Sequence, residues 1–154
     1  MSNNVGNVTV KITGLKEVMQ TLGEIGPKLA RRSLRKALNA VGDYWVPEVQ
    51  SRTPDVDGAL RDSIAKKVTT RAVGKDSGDL TGTVEVGPEL HAKRRDNKKS
   101  VGPGIYGMWV EFSLKTRKYL AHPFMRPTFD ATADKAVEIF AKTLQDELED
   151  AVKK

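Results

Sequence analysis

The residues with chemical capacity in this chain are its carboxylates, two histidines and two dense runs of cations. Asp55, Asp57 and Asp62 lie close together, and Glu85, Glu89 and Glu111 form a second set that a fold can gather. Two-metal nucleases hold their cations with such clusters. Here the D-x-D pair falls in Asp55-Val56-Asp57-Gly58, a turn sequence in which Asp bonds its own backbone, and the turn reading takes precedence. His91 and His122 share no metal-ligand spacing, and His122 before Pro123 reads as a packing or turn residue. No G-x-S-x-G elbow surrounds a serine, and no G-x-x-x-x-G-K-[ST] or G-x-G-x-x-G phosphate loop is present. The expectation is a non-enzyme with no catalytic residue, metal site or cofactor.

Charge says more. The net charge of +6 is compatible with an anionic neighbour such as nucleic acid. Cations concentrate at residues 28–36 (KLARRSLRK) and 91–99 (HAKRRDNKK), whereas residues 145–150 (QDELED) are acidic. Lys28, Arg32 and Arg35 on a helix, and Lys93, Arg94, Arg95, Lys98 and Lys99 on a loop, are the candidates for contact with DNA or with a neighbouring subunit. No aromatic residue interleaves with either run, so a stacking platform for single strands is not expected. A small non-specific DNA-binding protein is therefore one reading of the chain. A carboxylate nuclease is a weaker one.

Six of the nine aromatic residues fall between Tyr106 and Phe129, in YGMWVEFSLKTRKYLAHPFMRPTF. Aromatic side chains carry the largest apolar surfaces, so this segment marks where a core or an interface closes. Glu111 sits inside it, between Val110 and Phe112, and burying a carboxylate without a partner is expensive. Arg126 is the expected partner, with Arg61 second. Glu111, Phe112, Pro123, Phe124, Arg126 and Pro127 are read as the cluster that fixes the fold, and Gly58, Leu60 and Ser63 as a docking turn.

These residues need elements to position them. Val8, Val10 and Ile12 alternate with polar residues as in a strand over 8–13, and 15–25 has the spacing of a short amphipathic helix. A long helix is expected over 28–52, with Leu34, Ala37, Leu38, Val41, Trp45 and Val49 as its buried stripe. Pro47 predicts a kink or break near 43–46. Residues 59–64 make a single helical turn. Strands at 64–73 and 80–86 flank a glycine-bounded hairpin loop, and 105–112 is a short helix. Residues 120–125, marked by proline, are expected as an edge strand. A final helix runs from Pro127 to about 152, burying Phe129, Ala133, Ala136, Phe140, Leu144, Leu148 and Ala151. Grouped strands and helices give an α+β fold: a small antiparallel sheet packed by a long kinked helix in the N-terminal half and a long C-terminal helix.

A single domain over 1–154 is expected, with a flexible 1–7 and a mobile basic loop at 88–104. Cysteine is absent, which fits folding in a reducing compartment. No apolar run approaches the roughly 18 residues of a membrane span, and the first residues lack the pattern of a signal peptide. Synthesis in the cytoplasm and no membrane partner follow as expectations.

The order VTVKITGLKEV, KLARRSLRKALNAV, TPDVDGALRDSI, VEVGP, YGMWVEF and HPFMRPTFDA resembles the HK97 gp10-like tail-component proteins of tailed bacteriophages, also described as neck or head–tail joining proteins. The most specific parts are P-x-x-x-G-A-L-R-x-S-I at 54–64 and E-F…P-F-x-R-P at 111–127. The chain departs from the family's common E-F-G-T after the aromatic pair, reading Glu111-Phe112-Ser113-Leu114 instead. The resemblance implies a non-enzymatic virion protein of the neck or tail, made in the host cytoplasm. It implies a homo-oligomeric ring, six-fold by usual expectation, around the DNA channel. Its partners would be the connector or head-closure protein, the tail terminator or tail tube, and, through non-specific contact, packaged DNA.

Overall fold

The computed structural model describes residues 8–9, 26–54, 58–73, 79–89, 102–112 and 121–152. The expected helix at 15–25, the hairpin loop at 74–78 and the basic run at 91–99 lie outside them, as do Asp55, Asp57 and most of the first expected strand. The fold is α+β. In chain order its elements are β1 (Val8–Thr9), α1 (Pro27–Arg52), α2 (Ala59–Asp62), β2 (Ile64–Val73), β3 (Asp79–Pro88), α3 (Pro103–Phe112) and α4 (Met125–Val152). The sheet order is β1-β3-β2, so the β2–β3 hairpin places β3 in the centre.

Gly26, at φ 93°, enters α1 in a left-handed conformation that favours glycine, and its carbonyl accepts from the Ala30 amide at 3.1 Å. The helix then continues through the expected break. Pro47 lies inside it on an exposed face, where a missing N–H removes one rung without burying an orphan. Ala37, Leu38, Val41, Trp45 and Val49 are buried as their spacing predicts, while Leu34 is half-buried.

Contacts divide the chain into two compact units, with α1, β2, β3 and α4 each contributing residues to both. One unit takes Trp45–Lys66, Val86–Thr132 and the first residues. Its core holds Trp45, Val49, Leu60, Ile64, Val86, Phe124, Met125 and Phe129. Trp45 and Phe129 meet edge to face, with ring centroids 4.9 Å apart, a geometry that adds about 1 kcal/mol to their burial. The other unit takes Thr9–Tyr44, Lys67–Glu85 and Ala133–Lys154, around Ala37, Leu38, Val41, Val84, Phe140 and Leu144. There a Cβ on Gly82 of β3 would overlap a Leu38 methyl, so the bare glycine is what lets α1 lie close against the strand.

Three expectations are corrected. Residues 121–124 form no strand, and the last helix begins at Met125, two residues before Pro127. The reason is local: the amides at 122 and 124–126 are spent on other acceptors, described below. On α4, Ala133 is exposed and Thr132 is buried in its stead. The Thr132 hydroxyl donates to the Thr128 carbonyl at 2.7 Å and accepts from the Trp45 indole N–H at 3.1 Å, so its polarity is satisfied inside the core. Of the segment expected as a mobile loop, Pro88 ends β3 and Pro103 opens α3, and residues 90–101 lie outside the described residues.

Candidate functional site

Glu111, in the last turn of α3, is 4% exposed. Its carboxylate is held by the start of α4. The Phe124 and Met125 amides donate to Oε2 at 2.7 and 2.9 Å, and the Arg126 amide donates to Oε1 at 3.2 Å. The first amides of a helix have no partner within it, and α4 has no acidic residue in its first turn. Phe124 and Pro123, just before it, have no side-chain oxygen to supply. Glu111 therefore acts as the cap that α4 lacks, and its negative charge stands at the positive end of the helix dipole. A second tie joins the same elements, as the His122 amide donates to the Val110 carbonyl at 2.8 Å.

Arg126, the cation expected to pair with Glu111, does so only loosely. Its Nε lies 3.9 Å from Oε1, at the limit of an ion pair, and its side chain is 64% exposed. The guanidinium also lies over the Phe112 ring, 4.9 Å from the centroid. Of the cluster read from sequence, Glu111 and Phe124 are interior, while Phe112, Pro123, Arg126 and Pro127 form the outer side. Arg61, the second expected partner, lies 3.7 Å from Asp62.

The docking turn is an internal joint. Gly58 has φ 78° at the start of α2, the left-handed conformation that glycine enters without cost. Leu60 is fully buried, and the Ser63 hydroxyl donates to the Leu60 carbonyl at 2.7 Å. The Ser63 carbonyl accepts from the Glu89 amide at 2.9 Å, joining α2 to the end of β3. A Cβ on Gly107 of α3 would come within 2.9 Å of the Pro88 ring and 3.0 Å of a Leu60 methyl. The G-A-L-R-x-S-I motif thus seats α3, and α3 in turn caps α4.

What α3 shows outward is apolar. Ile105, Tyr106 and Phe112 are 41%, 41% and 47% exposed. Single exposed apolar residues are ordinary, but three on one ten-residue helix make a surface suited to covering by protein. Lys28, Arg32 and Arg35 are exposed on α1, whereas Lys93, Arg94, Arg95, Lys98 and Lys99 lie outside the described residues. Among the described residues, no group of three or more His, Cys, Asp or Glu side chains is placed to hold a metal ion, and no helix is long and apolar enough to cross a membrane.

The seat and cap of α3 fall in the stretch that a family profile matches. The profile "Bacteriophage HK97-gp10, putative tail-component" covers residues 16–112, from before α1 to the end of α3. The chain belongs to this family of bacteriophage tail components. Among curated proteins and among solved structures, no match to the chain is found. The matched stretch includes Gly58, Leu60, Ser63, Gly107 and Glu111 but stops short of α4. In this tail component the matched part thus supplies the carboxylate and the unmatched helix supplies the amides that it holds.

Proposed function

We propose that the chain is a structural subunit of the virion neck, joining head to tail as a closed homo-oligomeric ring around the DNA channel. Six copies are expected, with the connector or head-closure protein on one side and the tail terminator or tail tube on the other. The observation that carries this reading is the outward apolar face of α3, within the stretch matched by the tail-component family. An assembly subunit needs surface that gains by being covered, and aromatic residues such as Tyr106 and Phe112 are typical anchors of such contacts. The work asked of the fold is mechanical: Glu111 and the Leu60–Gly107 seat hold α3 rigidly, so its outer face is presented in one orientation. Lys28, Arg32 and Arg35, together with the loop cations Lys93, Arg94, Arg95, Lys98 and Lys99, are proposed to meet DNA or a neighbouring subunit. The chain would be made in the host cytoplasm and end in the particle.

The experiment is complementation of particle assembly. Particles produced without the chain should yield filled heads and separate tails, and supplying the wild-type chain should restore joined, infectious particles. Supplying Tyr106→Asp with Phe112→Asp should not restore them, although the variant folds. Normal particles formed in the absence of the chain would refute the reading.

A further inference from the structure

Two exposed helix faces of the second unit carry opposite charge. In α1, residues 27–42 include five cations and no acid. Arg31 is committed to the Thr70 carbonyl at 2.9 Å and Lys36 to Glu147 at 2.6 Å. Lys28, Arg32 and Arg35 remain, at i, i+4 and i+7 on one exposed side, with no ion pair among the described residues. Leu29, 43% exposed, lies beside them. In α4, residues 133–150 include six acids against two cations, and Asp146, Glu149 and Asp150 are exposed in the last turns.

Part of each set stands where its own helix opposes it. A helix favours acids at its start and cations at its end. α1 has no acid in its first turn, and α4 has no cation in its last. Lys28 at the start of α1, and Glu149 and Asp150 at the end of α4, therefore stand against their own helix end. The Lys36–Glu147 contact shows that ion pairs between these two helices form within one subunit, but it leaves the six named side chains exposed.

We infer that the basic face of α1 docks on the acidic last turns of α4 in a second copy of this chain. The inference rests on the ring reading and names the surfaces through which the ring is made. Two different complementary patches give a heterologous contact, which repeats from copy to copy until rotation closes it. A nucleic acid would engage only the α1 face, whereas a second copy meets both faces. Charge of this kind guides encounter and fixes register, and α3 supplies apolar area elsewhere.

The test uses the full chain in sedimentation velocity at about 50 mM and about 500 mM salt, across which screening becomes strong. Wild type should associate at low salt and bind about tenfold or more weakly at high salt. Lys28→Glu/Arg32→Glu/Arg35→Glu and Asp146→Lys/Glu149→Lys/Asp150→Lys should each be monomeric at low salt. Mixed in equal amounts, they should associate again, because each reversed face then finds its match. Circular dichroism checks that both are folded. If one is not, the neutral set Lys28→Gln/Arg32→Gln/Arg35→Gln takes its place, with association weakened about tenfold. A monomeric wild type at low salt, association untouched by either reversal, or a mixture no better than its parts would overturn the inference. So would an α1 variant that loses binding to duplex DNA while its self-association is unchanged. A chain that is monomeric in solution yet required to join heads to tails would sink this contact and leave the neck reading standing.

Discussion

Replacing Glu111 by Gln distinguishes a carboxylate that caps a helix from one that merely pairs with a cation. The two oxygens of Glu111 accept three backbone amides. Gln keeps the shape but offers a single acceptor. With its oxygen at the Oε2 position it retains neutral bonds to Phe124 and Met125, while its NH2 turns toward the Arg126 amide, donor against donor. Charge-assisted bonds contribute about 1.5–3 kcal/mol and neutral ones about 0.5–1.5. Two weakened bonds and one lost bond in a buried site give a cost of about 2–4 kcal/mol. For a domain of this length, that lowers Tm by about 5–15 °C. Arg126→Ala is the control: an exposed pair at 3.9 Å adds about 0–1 kcal/mol, and the contact with Phe112 about 0.5–1. Calorimetry and urea unfolding give the two costs, and hydrogen exchange at the amides of 124–126 reports the cap itself. All three should be protected in wild type and in Arg126→Ala; in Glu111→Gln the Arg126 amide should exchange rapidly and the Phe124 and Met125 amides faster than in wild type. The reasoning fails if Arg126→Ala costs as much as Glu111→Gln, or if the Arg126 amide stays as protected in the latter as in wild type.

Other substitutions probe the joints around the cap. Thr132→Val removes the acceptor of the buried Trp45 N–H and should cost about 1–3 kcal/mol in urea unfolding, with Thr132→Ser restoring most of it. Gly107→Val drives a side chain into the Pro88 ring and Leu60 and should cost about 2–3 kcal/mol, read as a drop in Tm; an unchanged Tm would show that α3 is not seated there. The Lys135 hydrogen bond and charge hold the Glu138 carboxyl below its ordinary value of 4.5. Its contribution is thus present above that value and is lost as the pH falls through the lowered one. A proton titration by NMR should find the Glu138 midpoint below 4.5, and Lys135→Ala should return it there.

The long elements were legible because periodicity records burial directly. Trp45 and Val49 follow Leu38 and Val41 at helical steps, and Val84 and Val86 alternate with Thr83 and Glu85, so α1 and the hairpin emerge from spacing alone. Glu111 was legible as a buried carboxylate, but its main partners were not. An amide has no residue type, and a sequence shows Arg126 while concealing the N–H it carries. The signal that points to them is an absence: His122-Pro123-Phe124 precedes a helix without Ser, Thr, Asp or Asn, so that helix must borrow its cap. Thr132 was hidden for a related reason. A hydroxyl reads as polar until its bond to the carbonyl four residues earlier makes it fit for a core. The joint at Leu60 and Gly107 is legible only as a motif, because the close approach that requires a bare glycine joins residues far apart in the chain.

The central claim is that this tail component works as a ring at the neck, and electron cryo-microscopy of the intact particle tests it most directly. The account predicts density for α1, the β2–β3 hairpin and α4 repeated around the axis between connector and tail tube, with α3 covered by a neighbouring chain. A reconstruction that places the chain elsewhere in the tail, leaves α3 open to solvent, or lacks the chain at the junction would contradict it.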